Sequence, residues 1–228
     1  MDALILMTRI PIAGKTKTRL MDLLTGDECA GLHMAFLKDL MTTFTELKGI
    51  DLFMTYTPKD SLSILEHVIP ESIESFPQKG EDLGERMFNA INEVLQKGYK
   101  KVVLIGSDIP DLSASDIQTS FWLLDKHDIV LGPTYDGGYY LVGMKTAHER
   151  IFHIPKKWGG KSVLEATFDI GNEQNLTVGL GAKYRDIDTK EDLFAFAGKH
   201  ENTKTSQTMK WILEWRSKDA ERQITRTN

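Results

Sequence analysis

The stretch Lys101-Val-Val-Leu-Ile-Gly-Ser-Asp-Ile-Pro-Asp111 decides how the chain is read. Val102 to Ile105 form a short, continuous apolar run rich in β-branched residues, the pattern of a strand buried on both faces. The chain then turns at Gly106, and the polar residues arrive together. Pro110 stops the strand from continuing. Asp108 is thereby expected at the carboxyl end of a central strand, where open α/β sheets bind their ligands. A carboxylate on such a rim can serve a hard cation and phosphates. It can equally cap the turn that Asp and Pro favour.

The rest of the composition sets bounds on that reading. A length of 228 residues, 41% hydrophobic and 27% charged, suits a single soluble α/β domain. A net charge of −5 argues against a general nucleic-acid binder. One cysteine, Cys29, excludes an intramolecular disulfide framework and suits a reducing cytoplasm. Its apolar helical setting marks it as a core residue. No apolar run approaches the ~18–20 residues of a membrane span. Ala3 to Met7 is too short for a signal peptide and follows the acidic Asp2.

Upstream, Ala3 to Thr8 reads as a first buried strand leading into Arg9-Ile-Pro-Ile-Ala-Gly-Lys-Thr-Lys-Thr-Arg-Leu20. Gly14 is followed by Lys15, Lys17 and Arg19 at alternate positions. Such a loop can offset the charge of a polyphosphate and turn free backbone N–H groups toward it; a solvated basic loop is the plainer alternative. A P-loop would require glycine at position 9, where Arg9 stands, and no G-x-G-x-x-G occurs. A long helix over Asp27 to Leu47 shows an apolar face of Leu32, Phe36, Leu40 and Phe44. A strand over Asp51 to Tyr56, a short helix over Ser61 to Val68 and a strand over Ile73 to Phe76 follow. In Gly80-Glu-Asp-Leu-Gly-Glu-Arg-Met87, Asp82 is a plausible N-cap of a helix. Helix starts on a strand rim also receive phosphates and ribose hydroxyls.

Downstream, a helix over Ser113 to Lys126 and a strand over Asp128 to Leu131 lead into Gly132-Pro-Thr-Tyr-Asp-Gly-Gly-Tyr-Tyr-Leu-Val-Gly143. Asp136-Gly137 fits a hairpin turn, and the glycine pair also permits a ligand to approach the backbone, with Tyr139 and Tyr140 as walls. Ile154 to Lys161 carries Lys156, Lys157 and Trp158 and reads as a rim segment before a helix capped by Ser162. Tyr184 to Asp188 reads as a last strand with Asp186 and Asp188 on one side. Thr189 and Asp192 cap a helix to about Gly198. From Glu201 the composition turns polar, and Met209, Trp211, Ile212, Leu213 and Trp215 suggest an amphipathic helix. The division is a domain over 1–200 and a tail over 201–228 that docks on the body or makes a homo-oligomer.

Alternating strands and helices argue for a three-layer αβα sandwich with a mostly parallel central sheet. The stretches PIAGKTKTRL, GEDLGERM, GSDIPDL, GPTYDGGYYLVG and DIDTKEDL, spread from residue 11 to residue 193, resemble the GT-A-fold nucleotide-diphospho-sugar transferase superfamily. Within it the chain looks most like the bacterial radical-SAM/selenodomain-associated transferases, and more distantly like phospholactate and molybdenum-cofactor guanylyltransferases. The resemblance implies that Gly14, Lys15, Lys17, Arg19, Asp82, Leu83, Gly84 and Arg86 hold the nucleotide and its phosphates. It implies a divalent ion, Mg²⁺ or Mn²⁺, on Asp108 and Asp188, although Ser107-Asp108-Ile109 lacks a full Asp-x-Asp triplet. Asp136, Gly137, Gly138, Tyr139 and Trp158 would face a small-molecule acceptor. Asp108, Asp136 and Lys17 would carry the chemistry; the general base is left open, with Asp136 the best candidate. The donor would be a nucleoside triphosphate or a nucleotide sugar. A nucleotide-binding scaffold without activity is the rival reading, which the paired acids and intact basic loop oppose.

Overall fold

The computed structural model describes residues 1–154, 163–201 and 206–227. Among these residues, seven strands form one sheet: β1 Asp2–Arg9, β2 Ile50–Thr57, β3 Glu74–Pro77, β4 Lys101–Gly106, β5 Ile129–Pro133, β6 Tyr139–Met144 and β7 Val178–Leu180. Their spatial order is β3-β2-β1-β4-β6-β5-β7. β6 runs antiparallel to both its neighbours, and the other pairings are parallel. Six helices pack around the sheet: α1 Gly26–Phe44, α2 Leu83–Gln96, α3 Ala114–Leu123, α4 Val163–Glu173, α5 Lys190–Lys199 and α6 Gln207–Thr227.

The three layers follow from strand alternation. On β1, Leu4 and Leu6 join the core with Leu37 and Leu40 of α1 and Ile117 and Phe121 of α3. Ala3, Ile5 and Met7 point the other way, into the core with Met87, Ile91 and Val94 of α2. β4 divides likewise, Val103 and Ile105 to one face and Val102 and Leu104 to the other. A strand whose successive side chains enter two apolar layers must be apolar throughout, which is why Val102 to Ile105 read as one run.

Asp82 caps α2, and Thr189 and Asp192 form a reciprocal capping box on α5, as expected. A further box, Thr25 with Glu28, starts α1 and was not read from the sequence. Two expectations differ from the structure. Lys59–Leu65 is a kinked 3-10 stretch with non-helical backbone at Ser61, not the short helix expected over Ser61 to Val68. Tyr184 to Asp188 is not a strand. It makes one isolated bridge, Thr134 with Tyr184, and the last strand is the three-residue β7, paired with β5. A strand that short has no period to detect, whereas the extended 184–188 segment bonds to a succession of different partners.

A third apolar cluster lies beside the sheet. Leu20, Cys29, Leu32 and Phe36 meet Ile187, Leu193 and Phe196 and, from α6, Met209, Ile212 and Trp215. The expected apolar face of α1 is therefore shared, Leu32 and Phe36 facing α6 and Leu40 and Phe44 facing the sheet. Asp39 of α1, almost fully buried, accepts the N–H of Gln207 at 2.7 Å and of Thr208 at 2.8 Å. It supplies the N-terminal cap of a helix distant in sequence. Its replacement by Ala leaves buried N–H groups without that acceptor. Asp39→Ala is expected to cost about 2 kcal/mol and to lower the melting temperature by roughly 4–8 °C. Thermal denaturation followed by circular dichroism measures this, and an unchanged midpoint would mean that α6 is held by other contacts.

Candidate active site at the sheet switch point

β1 has β2 and β3 on one side and β4 on the other, so the strand order reverses between β1 and β4. Crevices of open α/β sheets form at such points, outside the carboxyl ends of the strands. A cavity of about 650 Å³ opens there, lined by the ends of both strands and by the loops that follow them. The register sets Met7 beside Gly106, which places Thr8 and Arg9 next to Ser107 and Asp108.

At the floor lies one cation among acids. Lys17 adopts a left-handed backbone conformation, φ 50° and ψ 39°, just before the 3-10 turn Thr18–Leu20. Its side chain is only 4% exposed. The ammonium lies 2.7 Å from Asp108 Oδ1 and 3.1 Å from Asp188 Oδ1, and donates to the carbonyl of Ile187 at 2.6 Å. Three protons thus meet three acceptors. Burial alone would pull the Lys17 pKa down, but Asp108 and Asp188 outweigh it and hold it above its ordinary value. For Asp108 burial acts upward, and the ammonium prevails and holds it below the usual carboxylate range. The acids converge because the Ile187 N–H donates to the Asp108 carbonyl at 3.0 Å and Ile187 is buried in the third cluster. Arg19, 71% exposed, reaches Asp188 at 3.4 Å, and Lys15 also lines the cavity.

Beneath this group sits His33 of α1, fully buried. Nδ1 is hydrogen-bonded to Thr16 Oγ1 at 2.7 Å, and Nε2 to Ser107 Oγ at 3.0 Å, with Thr8 Oγ1 3.0 Å from Ser107 Oγ. Burial pushes the imidazole pKa down to about 4, helped by Lys17 and Arg9 and opposed by Asp108. The ring is therefore neutral near pH 7, one nitrogen donating and the other accepting. It ties the basic loop to the residue before Asp108.

The start of α2 forms another wall. Gly80 has φ +136°, and a Cβ there would lie 2.8 Å from the Glu85 Cβ and 2.9 Å from the Arg86 nitrogen, so only glycine fits. Asp82 caps the helix by accepting the Glu85 N–H at 2.8 Å. Arg86 Nε donates to the Gly80 carbonyl at 2.9 Å, and Arg86 and Leu83 line the cavity. Gly84 is buried in the helix, and Asp82 and Gly84 are not among the lining residues.

The β5–β6 hairpin closes the far side. Asp136 Oδ1 accepts from Thr134 Oγ1 at 2.5 Å and from the Gly138 N–H at 3.0 Å, while Gly137 holds φ +92°. The hairpin reading holds, Asp136 making the turn, and Asp136, Gly138, Tyr139 and Tyr140 line the cavity. Tyr140 lies over Gly132, where a Cβ would meet the ring at 2.7 Å, and donates to the Ala182 carbonyl at 3.2 Å. Leu131, Pro133 and Asp108 then accept in turn from Gly181, Tyr184 and Ile187, laying residues 181–188 along the rim. Asp186 and Asp188 both line the cavity although no strand aligns them. Trp158, Lys156, Lys157 and the Ser162 cap fall outside the described residues.

Asp108, Asp188, Lys17, Arg19, Lys15, Arg86 and Asp136, singled out by their sequence setting and by the resemblance, all line one cavity. Gly14 holds φ +70° in the loop but is not among the lining residues. His33, Thr16, Ser107, Gln78 and Glu81 were not anticipated. The available signal for His33 was an imidazole on the inner face of α1, three and four residues before Phe36 and Leu37.

Asp186 gives this acid cluster a measurable consequence. Burial, then Asp188, Asp136 and Asp108, push its pKa up from 3.8 to about 6. A raised acid pKa means that the folded state holds the proton longer than the unfolded chain, so stability falls as pH rises from about 4 to 6 and stays reduced above. Asp186→Asn removes that penalty. After allowance for solvent screening, the variant should gain about 1 kcal/mol at pH 7.5, or roughly 2–4 °C, and nothing at pH 4. Melting curves of both proteins across that range decide it; equal curves at pH 7.5 would mean that the carboxylate is well solvated.

Known proteins resemble the chain in sequence and in fold. Over 189 residues the chain is 26% identical to the 2-phospho-L-lactate guanylyltransferase of Methanocaldococcus jannaschii, covering 81% of this chain and 79% of that one. A solved structure from Desulfovibrio desulfuricans G20, provisionally assigned as a nucleotide-diphospho-sugar transferase, superposes with a TM-score of 0.87 at 31% identity, over 95% of this chain and 96% of that one. CMP:2-keto-3-deoxy-manno-octonic acid synthetase in complex with CTP shares the fold, at a TM-score of 0.53 and 8% identity over 89% of this chain and 99% of that one. The family model described as "Uncharacterized protein conserved in bacteria (DUF2064)" matches residues 40–159. The chain belongs to the DUF2064 family, within the GT-A-fold nucleotide-diphospho-sugar transferase superfamily.

Proposed function

We propose that this protein is a metal-dependent nucleotidyltransferase that moves a nucleotidyl group from a nucleoside triphosphate to a small anionic acceptor. The observation that carries this reading is the convergence of Asp108 and Asp188 on one cation at the switch point, with Lys15 and Arg19 facing the same cavity. The M. jannaschii relative, named for guanylyl transfer to 2-phospho-L-lactate, supports the reaction class and an anionic acceptor.

The donor set fits Mg²⁺ or Mn²⁺. Two carboxylates are hard ligands of the kind that Mg²⁺ takes together with phosphate oxygens and water. Among the described residues no group of three or more His, Cys, Asp or Glu could hold a metal ion, so the polyphosphate would complete the set. Bound to Asp108 and Asp188, the ion would neutralise charge on the phosphates. Lys15 and Arg19 would hold the phosphate tail, and Leu83 and Arg86 would lie along the nucleoside. An acceptor oxygen would bond to the α-phosphorus as the bond to the bridging oxygen breaks and pyrophosphate leaves. A phosphate acceptor is largely ionised near neutral pH and needs no base. Asp136 would take the proton of a hydroxyl acceptor.

The provisional assignment of the D. desulfuricans protein favours a second reading, glycosyl transfer from a nucleotide sugar. Product analysis separates the two, because nucleotidyl transfer releases pyrophosphate and glycosyl transfer a nucleoside diphosphate. A thermal-shift panel of nucleoside triphosphates and nucleotide sugars, each with and without Mn²⁺, identifies the donor. No shift with any of them would sink both readings.

Two substitutions test the residue roles. Asp108→Asn should lower metal-dependent nucleotide affinity or turnover on the order of 100-fold while retaining the native circular dichroism spectrum. Wild-type titrations with Mn²⁺ and donor would displace the metal site from Asp108. Lys15→Ala and Arg19→Ala each remove one charge-assisted contact, worth roughly 1.5–3 kcal/mol, and should weaken triphosphate binding about tenfold to a hundredfold. Nucleoside binding should be unchanged. Equal losses for nucleoside, diphosphate and triphosphate would mean that these residues shape the loop instead.

A further inference from the structure

We infer that Lys17 is an exchangeable internal counter-ion, occupying the carboxylate pair in the free chain and leaving it only when a polyphosphate brings the divalent ion. The inference rests on the metal reading above and adds an order of binding to it. Its ammonium shares Asp108 Oδ1 and Asp188 Oδ1, at 2.7 and 3.1 Å. A divalent ion on the same oxygens would sit about 2.0–2.2 Å from them, too close to an ammonium for both to stay.

What permits the exchange is the loop. Lys17 belongs to neither a strand nor a helix but stands at the left-handed entry to the turn Thr18–Leu20. The two residues flanking Thr16 and Thr18, Lys15 and Arg19, face the cavity. An ammonium displaced alone would lose all three of its acceptors, including the Ile187 carbonyl. A polyphosphate held by Lys15 and Arg19 offers it new ones while presenting oxygens to the metal. Metal and polyphosphate therefore bind with positive coupling, and the coupling is reciprocal. Removing the ammonium while leaving both acids must then strengthen binding of the metal alone, although it weakens the phosphate site. A residue that only held phosphates would leave metal affinity unchanged.

Free Mn²⁺ measured by electron paramagnetic resonance on the full chain, corrected for the Mn²⁺ that the triphosphate binds in protein-free samples, reads this. Titrations use Mn²⁺ alone and Mn²⁺ with each common ribonucleoside triphosphate, on wild type, Lys17→Met and Lys17→Gln. Wild type should bind Mn²⁺ alone weakly and at least tenfold more tightly with the cognate triphosphate. Both variants should bind Mn²⁺ alone at least tenfold more tightly than wild type, with smaller gains from nucleotide. Variants that bind Mn²⁺ alone no more tightly, while triphosphate still recruits it, would overturn the exchange and leave the metal reading standing. Wild type that binds Mn²⁺ equally well with and without every triphosphate would overturn it even if neither variant folds. Absence of Mn²⁺ binding under all conditions would remove the metal reading and this inference together.

Discussion

A buried ammonium must be paired, and most of this site follows from that requirement. An unpaired charge out of water costs several kcal/mol, so Lys17 can be buried only where acceptors are already arranged. Three separate pieces of chain supply them: the end of β4 brings Asp108, the 181–188 segment brings Asp188 and the Ile187 carbonyl, and the loop after β1 brings the lysine itself. None is adjacent to another in sequence. The backbone bond from Ile187 to Asp108 and the imidazole bridge from Thr16 to Ser107 fix their separations. A neutral histidine suits that bridge, since a second buried cation beside Lys17 would oppose the pair it supports.

The support continues outward through packing. Ile187 and Leu20, the residues that seat the acid segment and end the basic turn, share one apolar cluster with α1, α5 and α6. α6 packs closely on α1: a Cβ at Gly31 would lie 2.9 Å from the Trp211 indole nitrogen. Asp39 holds the start of α6. The amphipathic helix expected after Glu201 therefore buttresses, with its inner side, the layer behind the site.

The legible parts of the fold were those with local causes. β1 and β4 announced themselves because strands buried on both faces are apolar throughout, and α1, α2, α3 and α5 because caps and helical spacing are written within a few residues. Asp108 and the basic loop were legible because a turn after a buried strand has few other places to go. What the sequence left unread depends on distance. The direction taken by the Lys17 side chain follows from a left-handed backbone and from acids 91 and 171 positions further along the chain. β7 is too short to carry a period, and residues 181–188 are held by single bonds to β5 and to the segment after β4. His33 looked like one more residue on an apolar helix face, and only the sheet register sets Ser107 beside Thr8 above it.

The charges of the cavity argue for the kind of ligand it takes. Arg9, Lys15, Lys17, Arg19 and Arg86 line it, and so do Glu81, Asp108, Asp136, Asp186 and Asp188, five of each sign among the described residues. Such a cavity attracts neither a free anion nor a free cation by its overall field. The signs are only partly separated: Asp108, Asp136, Asp186 and Asp188 gather where β4, the hairpin and the 181–188 segment meet, and the exposed loop with Lys15 and Arg19 borders them, Arg19 reaching Asp188 at 3.4 Å. Burial first, and then repulsion from Asp188, Asp136 and Asp108, raises the Asp186 pKa. A divalent ion alone would relieve that repulsion but collide with Lys17, and a polyphosphate alone would satisfy the loop but face the acids. A metal–polyphosphate pair answers both halves at once, its cation toward the carboxylates and its anion toward the loop. The arrangement is thus complementary to a pair of ions and to neither member separately.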